Sequence, residues 1–256
     1  MRPILSREGE QALAALMRGR PLLAFDFDGT LAPLAARPGD ARIAPGVTRR
    51  LRALARRVPV AIITGRALSD VRERLDFEPR FIAGNHGAEA PWDPAAACVL
   101  GRALEPARAH LRARAARLAA AGVSVEDKGA SIALHYRLSA RPGAARVAID
   151  GVLGELAGTW RVFAGKMVVN LVPAAAPDKA DAVQAMLVAV GADGVLFAGD
   201  DVNDEPVFER AGSDWLTLRV GTGVPRSAAR WFIDHPNAMP RLLDRLLALL
   251  PVGATS

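Results

Sequence analysis

The chain has 256 residues, 51% of them hydrophobic, which is enough to bury one large domain or two smaller ones. Its uncharged apolar stretches are shorter than the roughly 18 residues of a membrane span, the opening "MRPILSREGE" has no apolar core, and the single cysteine, Cys98, excludes an intramolecular disulfide. A cytoplasmic globular protein without a membrane partner is expected. The net charge of +6 comes from arginines scattered along helix-like segments such as "RALEPARAHLRARAARLAA", the pattern of a solvated basic face and not of a nucleic-acid site.

In chain order, residues 1–20 read as a helix with Leu13, Leu16 and Met17 on one face. "PLLAFDF" is an apolar run of strand length that breaks into "DGT", and "PGVTRRLRALARRV" is an amphipathic helix. "PVAIITGR" and "FIAGNHG" repeat the form of a buried strand with a polar tip. Residues 91–173 break the pattern: a proline-rich exit, "APWDPAAA", precedes a long Ala/Arg helix, and "SVEDKGASIALHYRL" and "WRVFAGKMVVNLV" then alternate as strands with one polar face. "KADAVQAMLVAVGADGVLFAGDD" resumes with a helix and a strand ending in carboxylates. Strands apolar throughout, alternating with helices, predict an α/β fold with a doubly wound parallel sheet, formed by residues 1–90 and 174–256, with a smaller α/β domain inserted at 91–173. Cys98, in the insert, reads as a small buried hydrophobe without a role.

Ligands of such sheets bind at the carboxyl ends of the strands, so the tips DFDGT, TGR, GNHG and GDD converge on one edge. Strand residues i and i+2 share a face, so Asp26 and Asp28 point the same way, and "GDDVNDE" adds Asp200, Asp201 and Asp204. So dense a carboxylate cluster calls for a cation, and all-oxygen ligation suits magnesium. A carboxylate held ionised by a metal can attack phosphorus, which assigns Asp26 as nucleophile; a neighbour kept protonated by nearby negative charge can donate to the leaving oxygen, which assigns Asp28 as acid/base. The Thr64 hydroxyl can bind a phosphoryl oxygen, and Lys179, just before a helix, can neutralise phosphate and Asp26. Only three of the 33 basic residues are lysines, Lys128, Lys166 and Lys179, so these positions stand out where arginine is the habit.

"DFDGTL", "TGR", a lysine before a helix and "GDDxxxDE", in this order, resemble the haloacid dehalogenase-type phosphatases. The resemblance implies a covalent aspartyl-phosphate at Asp26 and magnesium bound by Asp26, the backbone carbonyl of Asp28 and Asp200, with Asp201 or Asp204 near the metal directly or through water. In the insert, alternation pairs Glu126 with Lys128, His135 with Arg137, and Lys166 with Asn170 on one polar face. "GNHG", "EDKGASIALHYR", "GKMVVNLVP" and "GDDVNDEPVF" narrow the resemblance to the trehalose-6-phosphate phosphatases. It implies sugar recognition by Asn85, His86, Glu126, Lys128, His135 and Lys166; Gly65, Arg66, Arg137 and Asn170 are further substrate-binding candidates, with structural ion pairing as the alternative for Arg66 and Arg137. Asn170 departs from the family, which usually has glutamate in "GKxVxE"; Val172, Asn203 and the residue after Lys179 depart as well. Two alternatives stand beside this reading: the same chemistry on another sugar phosphate, and a sugar-phosphate-binding module without turnover.

Overall fold

The computed structural model describes residues 1–35, 38–222 and 226–251. It divides into two compact units, Met1–Gly87 with Asp178–Ser256, and Ala88–Pro177. The sequence sets these boundaries at 90 and 173. They lie at 87 and 177 because Gly87 touches Asp178: a Cβ on Gly87 would meet the Asp178 carbonyl oxygen at 2.2 Å, so the chain leaves and re-enters the first unit at one point.

The first unit opens with β1 (Arg2–Pro3), α1 (Arg7–Arg18), β2 (Pro21–Phe25), α2 (Pro45–Ala55), β3 (Val60–Ile63), α3 (Leu68–Arg72) and β4 (Phe81–Ala83). The insert contributes α4 (Pro94–Ala103), α5 (Glu105–Ala113), α6 (Ala115–Ala120), β5 (Ser124–Asp127), β6 (Ile132–His135), α7 (Pro142–Gly154), β7 (Trp160–Gly165) and β8 (Val168–Pro173). The first unit then resumes with α8 (Lys179–Val190), β9 (Gly194–Gly199), α9 (Glu205–Glu209), β10 (Trp215–Val220), β11 (Trp231–Ile233) and α10 (Met239–Ala248).

All seven strands of the first unit's sheet are parallel, in the order β1-β11-β10-β9-β2-β3-β4. Alternation along β2 explains its unbroken hydrophobicity: Leu23 and Phe25 pack in one core layer with Leu13, Leu51 and Leu242, whereas Leu22 and Ala24 pack in the other with Val183, Met186 and Phe208. The chain winds from β2 outward through β3 and β4, then returns to β9 on the other side of β2. The order therefore reverses between β2 and β9, the switch point at which such sheets open a crevice. Three strands escape the sequence reading. Thr217 and Arg219 interrupt the apolar run of β10, and β1 and β11 have only two and three residues.

In the second unit the antiparallel order is β5-β6-β8-β7. Ile132, Leu134, Val169 and Leu171 pack against Leu104, Leu111, Leu118, Ile149 and Val152 from the helices. The expected single Ala/Arg helix is broken into α4, α5 and α6 at Leu104 and Arg114. Cys98 is exposed on α4, because that helix buries only Leu100. Among the described residues, no helix is long and apolar enough to cross a membrane.

Candidate active site

β2 ends at Phe25, so Asp26 is the first residue past that strand; its backbone N–H still donates to the Ala198 carbonyl of β9. Chain reversal follows at once, with Gly29 at φ 84°. A Cβ on Gly29 would meet Asp200 Oδ2 at 2.0 Å, so glycine is required for the carboxylate of the β9 tip to approach the β2 turn. Thr30, fully buried, donates to Asp200 Oδ1 at 3.4 Å. The sharp turn at Gly29 is legible in "DFDGT"; its close approach to Asp200 and the contact from Thr30 are not, and their signal is position directly after the paired aspartates.

Lys179 is the first residue of α8, whose N-terminus is fixed by a capping box: the Asp178 side chain accepts from the backbone of Ala180 and Asp181, and Asp181 Oδ2 accepts from Asp178 N at 2.9 Å. Arg210, at the end of α9, adds ion pairs to both Asp178 and Asp181. So positioned, Lys179 Nζ donates to Asp26 Oδ1 at 2.6 Å and to Asp204 Oδ1 at 2.7 Å, with the lysine only 1% exposed. Burial alone would lower the Lys179 pKa, but Asp204 and Asp26 outweigh it and hold the ammonium well above its ordinary value. Asp26 is pushed well above the ordinary carboxylate value, first by burial, against the pull of Lys179 and with the repulsion of Asp204 and Asp200. One lysine is too little positive charge for three buried carboxylates.

Oxygen atoms of Asp26, Asp200 and Asp204 lie within 4.8 Å of one another, an all-oxygen set that fits a hard divalent cation. Within the set Asp204 is already engaged: besides Lys179 it accepts the backbone N–H groups of Asp200 and Asp201 at 2.8 and 2.9 Å. Asp201 lies outside this cluster; its side chain accepts from Val202 N at 2.8 Å and from Asn203 at 3.3 Å. With both Asp204 oxygens accepting hydrogen bonds, Asp26 and Asp200 are the residues that could hold the cation directly, and Asp204 orients the turn.

Thr64 is fully buried at the tip of β3, its hydroxyl accepting Arg66 N at 3.2 Å. The TGR and GNHG turns are stitched together by Asn85 N to Arg66 O at 2.7 Å and His86 N to Thr64 O at 2.8 Å. Asn85 and His86 both adopt positive φ, 49° and 59°. The imidazole lies over Gly65, where a Cβ would come within 2.3 Å of the ring. Arg66 grips both oxygens of Asp28 at 2.7 Å and Asp70 at 2.7 Å, and stacks over Phe27. Its guanidinium, 9% exposed, is engaged with Asp28 and Asp70, the ion pairing that the sequence leaves open beside a substrate contact, and it orients Asp28.

In the insert, register aligns Glu126 with Ala133 and Ala133 with Asn170, on the sheet face opposite the helices. His135 on the same face meets Glu126 Oε2 at 2.7 Å. Lys128, just beyond β5, approaches Glu126 at 3.9 Å, and its turn is held by Arg108, which binds Asp127 and the Gly129 carbonyl. Two expected face residues, Lys166 and Arg137, lie outside the strands, and Asn170 keeps the face but is buried in it. Lys166 and Met167 form the two-residue link between β7 and β8, with Met167 at φ 64°, so the expected pairing of Lys166 with Asn170 along one strand fails. Arg137, past β6, donates to the Lys166 carbonyl at 3.1 Å. Asn170 is only 2% exposed.

A family model described as trehalose-phosphatase matches residues 24–214. A trehalose-phosphate phosphatase from Mycobacterium tuberculosis is 33% identical over 259 residues, covering 94% of this chain and 65% of that protein. The chain thus spans just under two thirds of that relative's length. Among solved structures, the C-terminal domain of the C. albicans trehalose-6-phosphate phosphatase superposes with a TM-score of 0.79 at 18% identity, covering 97% of this chain and 98% of the other. The sucrose-phosphatase of Synechocystis sp. PCC6803, solved with sucrose and phosphate, gives 0.59 at 18% identity, covering 89% and 98%. At such identities the two structures speak to the fold alone, a parallel-sheet α/β unit with a smaller α/β unit inserted in it.

Proposed function

This chain belongs to the trehalose-phosphatase family, and from that premise we propose that it hydrolyses trehalose 6-phosphate to trehalose and phosphate with magnesium as cofactor. The observation that carries the reading is the buried Asp26–Lys179–Asp204 cluster at the switch point, with Asp200 beside it. Asp26 attacks phosphorus and its carboxylate oxygen forms the aspartyl-phosphate bond as the bond to the sugar oxygen breaks. Asp28, with one oxygen released from Arg66 to carry the proton and the other kept by it for orientation, delivers that proton to the leaving oxygen and then takes one from the water that cleaves the acyl phosphate. Thr64 and Lys179 hold the phosphoryl oxygens while charge builds on them. Asp26, the Asp28 carbonyl and Asp200 would hold magnesium, which when bound would supply the positive charge that keeps Asp26 ionised. The insert's Glu126, Lys128 and His135 recognise sugar hydroxyls, with Lys166, Asn85 and His86 as further contacts, and the reaction is placed in the cytoplasm.

Phosphate release from trehalose 6-phosphate, beside glucose 6-phosphate and sucrose 6-phosphate, with and without magnesium, tests the reading. A strong metal-dependent preference for trehalose 6-phosphate is expected. Equal rates on the three esters would remove the substrate assignment and leave the aspartate chemistry. Asn170 favours a second reading, a different phosphorylated glycoside, since an amide stands where the family resemblance implies a carboxylate. Asn170→Glu separates the two: improved turnover of trehalose 6-phosphate supports the first, and loss without gain supports the second.

A further inference from the structure

Arg219 is a charge in a place built for hydrophobes. Register sets it opposite Gly199 near the carboxyl end of β10, and alternation puts it on the face of Trp215, which packs in the core layer under α8 and α9. It is 2% exposed. Burying a guanidinium is costly unless it is paired, so its partners show what it is for. One terminal nitrogen donates both to the Asp201 carbonyl oxygen at 3.0 Å and to Glu205 Oε1 at 3.1 Å, while Nε is buried without a hydrogen-bond partner among the described residues. The same Asp201 carbonyl accepts Asp204 N at 3.2 Å, the bond that closes the turn. The other oxygen of Glu205 accepts Ala228 N at 2.9 Å, tying the turn to the segment before β11.

The turn so braced runs from Asp200 to Asp204. Its carbonyl side is held by Arg219, and its N–H side by the Asp204 carboxylate, which accepts from Asp200 N and Asp201 N. At its two ends the turn carries Asp200 and Asp204, each with a carboxylate oxygen within 4.8 Å of one of Asp26. None of the chemical steps above uses Arg219.

We propose that Arg219 is a positioning residue that fixes the Asp200–Asp204 turn from the neighbouring strand and thereby sets the affinity of the site for a divalent cation. The inference rests on the reading of Asp26 and Asp200 as cation ligands. Residues that orient metal ligands from behind typically change affinity by about 10- to 100-fold when removed. An ion pair serving stability alone would leave affinity untouched.

The test is metal binding by the full-length protein without substrate, with Mn²⁺ followed by electron paramagnetic resonance and Mg²⁺ by calorimetry. Arg219→Met, which keeps the buried stem, is expected to weaken binding about tenfold or more. Arg219→Lys restores part of the affinity, and Glu205→Gln gives a smaller loss than Arg219→Met. Arg245→Met removes an exposed ion pair to Glu10 and is expected to bind as wild type. Wild-type affinity in folded Arg219→Met, or an equal loss in Arg245→Met, would overturn the inference alone. Should Arg219→Met not fold, wild-type affinity in both Arg219→Lys and Glu205→Gln overturns it, and graded loss in the two supports it. A wild-type protein that binds neither ion would overturn the cation reading and this inference together.

Discussion

The two units handle charge in opposite ways. In the first, Asp26, Asp200, Asp204 and Lys179 are 5%, 3%, 0% and 1% exposed, and the carboxylates and the ammonium are fixed before any ligand arrives. In the second, the side chain of Glu126 is 52% exposed and that of His135 is 27% exposed, and the pair is held by one short contact. Charges taken out of water interact strongly and reorganise little, the condition for stabilising a transition state. Hydrated charges can trade water for ligand hydroxyls at small cost, the condition for recognition. Substitutions in the first unit should therefore act on turnover, and those on the insert's face on KM.

The largest effect is expected at Asp26. Asp26→Asn keeps the shape and an acceptor for Lys179 but removes the proposed nucleophile, and turnover should fall about 10⁴-fold or more. Stability should move the other way. A carboxyl whose folded pKa is raised weakens the native state as pH rises from its unfolded value through its folded value, because ionising it costs more in the fold than in the open chain. In metal-free buffer at pH 8, the Asn variant is expected to melt no lower than wild type. A melting point well below wild type would mean that Asp26 is held chiefly as a partner of Lys179, which would break the contrast between the units.

A smaller effect is expected at Glu126. Removing the charge from a hydrogen bond to a ligand costs about 1.5 kcal/mol, roughly tenfold in affinity. Glu126→Gln should raise KM for the preferred sugar phosphate about tenfold, leave kcat within a few-fold, and change stability by less than about 0.5 kcal/mol. If kcat falls while KM holds, the face acts in the chemical step and the division of labour fails.

The first unit was far more legible in the sequence than the second, and the same contrast explains why. β2, β3 and β9 are apolar on both faces, so each breaks visibly into its polar tip, and DFDGT, TGR and GDD mark the site at once. Insert strands carry weaker marks. The two-residue link at Lys166 looks like one continuous strand in the sequence, because a positive φ at Met167 has no glycine to announce it. Arg219 was silent for another reason: in a chain with 33 basic residues, an arginine in a strand draws no attention until its burial is known. Arg66 shows the reverse. Its motif advertises phosphate chemistry, yet its two carboxylate partners come from the turn 38 residues before it and from α3, four residues after it, a convergence that only folding reveals.

That convergence yields the smallest effect and the sharpest test of what burial does. Asp70 belongs to the same unit as Asp26, but its side chain is 35% exposed, between Arg66 and Arg74. Burial would raise its pKa; the hydrogen bonds from Arg74 and Arg66 outweigh that and pull the carboxyl down to about 2 from 3.8. A depressed carboxyl stabilises the fold above its unfolded pKa, and the contribution fades as pH falls through the folded value. Asp70→Asn should therefore cost less than about 1 kcal/mol at pH 6, the ceiling set by solvent screening. Urea titrations should find the gap to wild type narrowing between pH 4 and pH 2. A gap equal at pH 6 and pH 3 would assign the loss to packing and not to charge. Arg66 keeps Asp28 in either case, so turnover by Asp70→Asn should fall far less than by Asp26→Asn. Exposure, more than membership of the catalytic unit, would then decide how much a charge is worth.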